Sequence, residues 1–529
     1  MSDNIVKPVF VGRMPDEPET HPAPSASAVP ASPTAPVAPA ETHLNEAAAA
    51  APILEVNAHS ITAAASAAGS DKAAGVALSL DAAALSRDAA ALAHDAEAIS
   101  HDAKELAQVS PEPAPSHSDP IQDSPAPHIH PAGVDLPPAH NVVFFSPQFP
   151  SWVTPFAVAL GRFPNVNVLG IGNDPYDTLP QDLKDTLTEY YRIDSMDNYD
   201  EILKAVGFFT HKYGKIDRFE SLNEHWLELE SDIRQDFNIA GPKPEFIENV
   251  RRKSKMKDVF KAAGVATIQG TVVYNLDEAL NFARGTEYPL VVKPDSGSGA
   301  TATYRVNNEW ELTEVFHKLP PQTGPVVVEQ YMDAIIISYD GLVDADGNII
   351  FEGSCQVDQS IMDVVNTGGN AYYVCLPYVP EDIKEAGVAI VKAYNLRERY
   401  FHIELFKRRD NGKVVGLEIN LRPPGAWMTD GYNFALSTDV YQRWAAMVAG
   451  GHQPWDGPEK FFAPYASRKW FNHYRHNNDE INGYLGPRLG MHKLVEPVLA
   501  AAAGDEAFIA KAKSYDEALD IVNYIQARA

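Results

Sequence analysis

Cysteine is nearly absent: Cys355 and Cys375 are the only two in 529 residues. They supply no disulfide framework and no thiolate metal cluster, which fits a reducing, cytosolic setting. No apolar run approaches the length of a membrane span. Met1-Ser2-Asp3-Asn4 shows no basic region followed by a hydrophobic core, so no secretory signal is expected. Basic residues are in deficit, with 43 Lys and Arg against 71 Asp and Glu and a formal net charge of −28. A nucleic-acid surface needs clustered Lys and Arg to neutralise phosphate, so that partner class is excluded. The expectation is a cytoplasmic protein with neither a nucleic-acid nor a membrane partner.

Residues 1–137 read as an arm that does not fold by itself. Ala, Pro, Ser and Thr dominate residues 15–70, and such a stretch cannot bury enough apolar surface to offset its ordering entropy. A heptad then recurs at Asp81–Arg87, Asp88–His94, Asp95–His101 and Asp102–Gln108. Ala82, Ala89, Ala96 and Ala103 share one position, and Leu85, Leu92, Ile99 and Leu106 follow three residues later. These are the a and d positions of a coiled-coil seam over about residues 74–108. Small Ala at every a position limits burial, so the segment is either a weak homo-oligomer contact or an isolated Ala-rich helix. Pro111 to Pro138 reads as a stiff linker.

Residues 138–245 alternate strand and helix signals. Asn141–Ser146 and Val166–Ile171 are short apolar runs, each closed by turn residues. Trp152–Phe163, Asn198–Tyr213 and Trp226–Phe237 carry helical patterns, and Arg218–Glu224 reads as a strand. The alternation implies a parallel α/β sheet with right-handed crossovers. No G-x-G-x-x-G follows the first strand, so a dinucleotide site is not expected. Asn223 and Glu224 fall at the carboxyl end of a strand, where open sheets bind ligands. A helix N-terminus is an equally good home for Glu224.

In residues 246–455, a helix opens at Arg251-Arg-Lys-Ser-Lys-Met-Lys257 and stops at Gly264. A strand at Gly270–Tyr274 and a helix at Leu276–Arg284 follow. Tyr288–Lys293 is a strand with a lysine at its exit, followed by Asp295-Ser-Gly-Ser-Gly-Ala-Thr301. A Gly-Ser loop brings bare backbone N–H groups against phosphate oxygens, with Lys293 as a point charge beside them. No G-K-[ST] is present, so this is not a Walker A loop. Further strands are expected at Pro325–Met332, Ile335–Val343 and Asn348–Gly353, and a helix at Glu381–Tyr394.

The densest chemistry lies in Glu418-Ile419-Asn420-Leu421-Arg422. In a strand Glu418, Asn420 and Arg422 share one face. Phe401–Phe406 is a second apolar run carrying Glu404, and Asn411-Gly412 between the runs signals a hairpin. Folded back, it brings Glu404 to Glu418 and Asn420, three hard oxygen ligands suited to magnesium or manganese. Charged residues alternating with apolar ones also mark the wet face of any half-buried strand.

In this order the pieces resemble the ATP-grasp superfamily, in its carboxylate–amine ligase and biotin-carboxylase-like branch, over roughly residues 140–450. The matching stretches are Lys253 before Ala263-Gly-Val265, Leu-Val-Val-Lys293-Pro with its Gly-Ser loop, Val-Val-Glu329-Gln-Tyr-Met, and Leu-Glu418-Ile-Asn-Leu-Arg422-Pro-Pro-Gly425. The resemblance implies an α/β (α+β) ATP-grasp domain at 246–455 with a lid at about 265–325. A parallel-sheet domain would precede it at 138–245, and an extension at 456–529 would pack on its body. Lys253 and Lys293 would hold the phosphates of ATP, and Ser296, Gly297, Ser298, Gly299 and Ala300 would form the mobile loop over them. Glu329 would meet the adenine amino group, while the backbone of Gln330, Tyr331 and Met332 reads the adenine edge. Glu404, Glu418 and Asn420 would carry two magnesium (or manganese) ions, and Arg422 would stabilise an acyl phosphate.

The implied reaction joins a small-molecule carboxylate to an amine and releases ADP and phosphate. Carboxylation of a separate carrier, a purine-pathway ligase and a non-catalytic nucleotide-binding scaffold are the competing readings. Self-association through the ATP-grasp body is also implied. One departure stands out: many members carry a ribose-binding glutamate where this chain has Ile335-Ile336-Ile337, so the ribose must be met less strongly, or by Asp333 or another group. The polar stretch holding His473 and His476 reads as ordinary surface, with a strand expected at Arg468–Tyr474.

Overall fold

The structure, a computed structural model, describes residues 140–297, 302–320, 323–357, 364, 368–451 and 456–529. The arm and its heptads lie outside the described residues.

The first sheet contains β1 (His140–Phe145), β2 (Val166–Gly172), β3 (Glu189–Arg192) and β4 (Arg218–Glu220), all parallel in the order β3-β2-β1-β4. Continuous apolar runs in β1 and β2 are what a strand covered on both faces requires. The connecting helices are α1 (Thr154–Leu160), α2 (Gln181–Thr186), α3 (Tyr199–Tyr213) and α4 (Leu227–Asp236). β4 is shorter than expected because Leu222 adopts a left-handed backbone (φ 54°) and turns the chain. The polar edge strand β3 carries no apolar run to reveal it. Because β2 and β4 flank β1 on opposite sides, the loops after β1 and β4 open a crevice at the carboxyl ends of the strands.

The helix expected to open at Arg251 is α6 (Lys253–Ala262), and a separate helix, α5 (Pro244–Arg251), precedes it across an extended Arg252. A small antiparallel sheet follows, with β5 (Gly270–Val273), β6 (Leu290–Pro294), β7 (Tyr304–Val306) and β8 (Val326–Gln330) in the order β5-β8-β6-β7. Leu290, Val292, Val326 and Val328 pack against α7 (Leu276–Arg284) and α8 (Glu309–Lys318). The two-residue period turns Lys293 and Glu329 to the opposite face.

Among the described residues the largest sheet has nine strands: β9 (Ala334–Val343), β10 (Ile349–Gly353), β11 (Cys355–Val357), β12 (Tyr372–Cys375), β13 (Arg399–Arg408), β14 (Val414–Asn420), β15 (Ala463–Arg468), β16 (Leu489–Leu494) and β17 (Glu506–Ala510). Their order is β14-β13-β9-β11-β12-β15-β17-β16, with β10 paired to β9. Tyr339, Ile403, Leu405 and Ile419 face α6 and α9 (Glu381–Ala393). Gly387 permits that contact, since a Cβ there would lie 2.0 Å from the Tyr339 ring. The other face packs on α10 (Met428–Leu436) and α11 (Val440–Val448).

Strands β15, β16 and β17, in residues 456–529, continue the central sheet. Two expectations are corrected here. The strand expected at Arg468–Tyr474 instead ends at Arg468, whose guanidinium donates to the carbonyls of Ile525 and His476. Cys355 and Cys375 are opposed across β11 and β12 and joined as a disulfide. One bridge is not a framework, but its presence removes cysteine scarcity as a sign of a reducing compartment. His476 stacks on Tyr524 with ring centroids 3.9 Å apart, which accounts for it without a ligand. Among the described residues no helix is long and apolar enough to cross a membrane.

Candidate active site

The hairpin forms as its turn chemistry requires. Gly412 takes φ 69°, and Lys413 N–H donates to Asn411 Oδ1 at 3.0 Å. Antiparallel pairing then sets Glu404 opposite Glu418 and His402 opposite Asn420. Immediately beyond this pair the register shifts, with Leu405 opposite Gly416, so that Leu417 is the extra residue of a bulge. A bulge raises the local twist and re-aims the side chains beside it. Asn420 Nδ2 donates to Glu418 Oε1 at 3.1 Å, which turns the amide oxygen away from that carboxylate. β14 ends at Asn420, so Arg422 does not share the strand face with Glu418; it lies past the strand, just before Pro423 and Pro424. Its Nη1 donates to the Pro423 carbonyl at 3.0 Å, and its Nη2 donates to Glu224 Oε2 at 2.7 Å.

Glu224 therefore joins the site from the crevice of the first sheet. It opens a short 3-10 turn after β4 and also pairs with Arg251 at 3.5 Å. Both sequence readings of Glu224 hold together: it lies at the carboxyl end of the sheet and at the start of a helical turn.

Charge is unevenly distributed here. Burial pushes the Glu418 carboxyl up, and Glu404 and Glu224 push it further, against the pull of Lys253 and Lys293. Burial alone would raise Glu404 too, but His402, Arg422 and Lys293 bring it below the usual range. Crowded carboxylates of this kind call for a cation. Among the described residues no three acidic, histidine or cysteine side chains close a metal cage. Glu404 and Glu418, opposed across the hairpin with Asn420 two residues along β14, are hard oxygen donors of the kind that fits magnesium, an ion that keeps water and substrate phosphate as its remaining ligands.

Lys293 and Glu329, brought to one face of the small sheet, form an ion pair of 2.5 Å. The other Glu329 oxygen is taken by Lys257, a residue the sequence reading passed over. Lys257 is one helical turn from Lys253 on α6, and that spacing was the available signal. Glu329 is 2% exposed. Burial would raise its carboxyl, but the two ammonium groups hold it below its usual range. The carboxylate assigned to adenine is thus engaged by two lysines. The backbone N–H groups of Gln330 and Tyr331 already donate to the Gln269 and Pro289 carbonyls, while the Tyr331 ring lies 4.1 Å beneath the Arg305 guanidinium. Asp333 is exposed and pairs with Arg409 at 3.3 Å, about 16 Å along the strand from Ser338, the residue opposite Glu404.

Helix α6 starts with Lys253-Ser254-Lys255, the wrong charge for a helix N-terminus, and has no side-chain cap of its own. Asp295 supplies the cap from the start of the Gly-Ser loop. Its carboxylate accepts from Ser254 N–H and Oγ, both at 2.9 Å, and its carbonyl accepts from Lys253 N–H at 2.8 Å. Lys253 Nζ donates to Gly297 O at 3.0 Å, and Gly297 holds φ 141°, open to glycine alone. Ser296 bridges to Arg252, whereas Ser298, Gly299 and Ala300 lie outside the described residues. Asp295→Ala should cost about 1–2 kcal/mol, the value of a lost N-terminal cap. An unchanged melting temperature would show that the loop and helix are not tied through this side chain.

A last group was not foreseen. His402 Nδ1 meets the fully buried Asp340 on β9, and His402 Nε2 lies 3.3 Å from Glu404 Oε1. Burial works against a charged imidazole, but Asp340 and Glu404 outweigh it and push His402 up to about 10.

Residues 252–422 match the family model of the carbamoyl-phosphate synthase L chain, ATP binding domain. Over 216 residues the chain is 26% identical to the 2-oxoglutarate carboxylase small subunit of Hydrogenobacter thermophilus. That alignment takes in 39% of this chain and 44% of the carboxylase, so the chain spans less than half of that relative's length. Its fold is similar to that of an L-amino acid ligase from Bacillus licheniformis, with a TM-score of 0.56 at 16% identity over 73% of this chain and 97% of the ligase. It is also similar to the biotin carboxylase domain dimer of the Hydrogenobacter thermophilus 2-oxoglutarate carboxylase in complex with MgADP, ADP and bicarbonate. There the TM-score is 0.54 at 16% identity, over 72% of this chain and 88% of that one.

Proposed function

We propose that this protein, whose residues 252–422 match the carbamoyl-phosphate synthase L chain ATP binding domain, is an ATP-grasp ligase that joins a small-molecule carboxylate to an amine at the expense of ATP, through an acyl phosphate, releasing ADP and phosphate. The observation that carries the reading is the cross-strand pair Glu404 and Glu418, with Asn420 beside it and Lys253 and Lys293 near enough to act on its charge.

In the first step a substrate carboxylate oxygen bonds to the γ-phosphorus of ATP, and ADP leaves. Two anions must approach, so the task of the protein is placement and charge neutralisation. Lys253 and Lys293 bind the phosphates, with Lys293 exchanging part of its contact to Glu329 for them. Glu404, Glu418 and Asn420 would hold magnesium, proposed as two ions, which neutralises the phosphate charge when bound. Arg422, oriented by Glu224, faces the acyl phosphate. In the second step the amine attacks the acyl carbon, phosphate leaves, and the amine proton passes to solvent or to a carboxylate of the site. The Gly-Ser loop after Asp295 excludes water, which would otherwise hydrolyse the acyl phosphate.

Likeness to a carboxylase subunit favours one variant, in which bicarbonate is the carboxylate and a separate carrier takes the carboxyl group. The test is phosphate release by the full chain with ATP and magnesium against pooled carboxylates and pooled amines, reading ADP against AMP. ADP and phosphate only when both pools are present is the expected result. Release with bicarbonate alone would move the assignment to the carboxylase variant. Binding of ATP without turnover in any pool would overturn both and leave a nucleotide-binding scaffold. In the productive pool Glu418→Gln should remove magnesium-dependent turnover, and unchanged activity would sink the metal assignment.

A further inference from the structure

We propose that His402 is a positioning residue that sets the Glu404 carboxylate for its cation. The inference rests on the assignment of Glu404 as a metal ligand and adds residues that the reaction itself does not touch.

Strand pairing builds the arrangement. On β13, His402 and Glu404 are two residues apart and share a face, while β9 sets Asp340 opposite His402 and Ser338 opposite Glu404. Asp340 is 0% exposed and both its oxygens are engaged. Oδ1 meets His402 Nδ1, and Oδ2 accepts from Ser338 Oγ at 2.5 Å and from the hydroxyl of Tyr432 on α10. Ser338 Oγ also accepts from the Cys355 N–H at 3.0 Å. Three strands and a helix therefore fix the imidazole plane. The free edge of the ring then lies 3.3 Å from Glu404 Oε1. Glu404 projects from a strand beside a bulge, and one oxygen anchored on a ring that cannot turn leaves the other in one direction. The buried Asp340 carboxylate is tolerated in the sheet interior only with such partners. Apolar residues would pack there at least as well, so the chain Tyr432–Asp340–His402 has little purpose as packing alone. Outer-sphere partners of this kind govern the affinity of the ligands they orient.

The test is Mn2+ binding to the full chain with saturating ADP, read by electron paramagnetic resonance, beside the affinity for metal-free ADP. His402→Asn places an amide near the Nδ1 position, so it keeps the Asp340 contact and loses Glu404. His402→Gln reaches the Nε2 position and keeps Glu404. His402→Asn should weaken Mn2+ binding about 10- to 100-fold, with metal-free ADP affinity held within about twofold. His402→Gln, which keeps the Glu404 contact but not the Asp340 anchor, should weaken Mn2+ binding less than His402→Asn does. If His402→Asn fails to fold, Asp340→Asn, which frees the ring but keeps its size, should weaken Mn2+ binding in the same direction. Native Mn2+ affinity in His402→Asn, or equal losses in the Asn and Gln variants, would overturn the proposal. A native chain that binds ADP but no Mn2+ would instead overturn the metal assignment on which it rests.

Discussion

Arg422→Ala should lower turnover by about 10²- to 10³-fold, the usual effect of removing one donor aimed at charge that develops in a transition state. Nucleotide affinity should stay within about twofold, because Lys253 and Lys293 are the residues proposed to contact the phosphates. The geometry makes the variant clean. Arg422 lies beyond the end of β14, so no strand pairing is lost. Glu224 retains Arg251 as a partner, so its carboxylate is not left unpaired. Arg422→Lys keeps the charge but loses the planar fork that serves Glu224 and Pro423 together, and should recover little activity. The measurement is ADP and phosphate release in the productive substrate pool, beside ADP binding by calorimetry. Equal losses in both would mean that Arg422 holds the nucleotide and has no special part in the acyl phosphate step.

Arg399→Met should destabilise the protein by about 3–5 kcal/mol, because it breaks a buried ion-pair cluster and leaves one charge uncompensated. Arg399 Nη1 donates to Glu220 Oε2 at 2.5 Å, and Arg234 Nη2 lies 3.3 Å from Glu220 Oε2 and 2.6 Å from Glu230 Oε2. These four side chains are at most 4% exposed, and they join β4 and α4 of the first sheet to the start of β13. Urea denaturation would read the loss, and a change below about 1 kcal/mol would show that water reaches the cluster. Arg399→Met combined with Glu220→Leu should recover most of it, since apolar groups of similar size replace a buried pair at little cost.

The same cluster sets a pH dependence. Burial would raise the Glu220 carboxyl, but Arg399 and Arg234 hold it below its ordinary 4.5. A depressed folded-state value contributes stability above the unfolded value and loses it as the pH falls through the folded one. The native chain should therefore lose stability as the pH drops below about 4.5, and Arg399→Met should show a flatter acid limb.

Much of the site can be read along the chain because its chemistry is local. Asn411-Gly412 between two apolar runs signals a hairpin that brings the stretch around Glu404 back to the stretch around Glu418, while the bulge at Leu417 decides that the two carboxylates stand opposite each other on one face. The two-residue period likewise puts Lys293 and Glu329 on faces opposite Val292 and Val328 without reference to any other element. The limits are as instructive. Alternation carried one step too far put Arg422 on the strand face, because the strand end is decided by Pro423 and Pro424 and by the pull of Glu224, which is 198 residues away in sequence. Cys355 and Cys375 look idle until β11 and β12 pair, and nothing near either residue announces the other.

His402 shows the division most plainly. Alone it is one polar residue in an apolar strand. Its partner Asp340 sits 62 residues earlier on β9, and Tyr432, which completes the network, comes from a helix on the far side of the hairpin. Short-range period and turn chemistry settle which side chains share a face, because those depend on backbone geometry a few residues wide. Which faces meet, and therefore which charges are compensated, depends on strand order and on the packing of helices from the whole chain. That part only the tertiary structure decides.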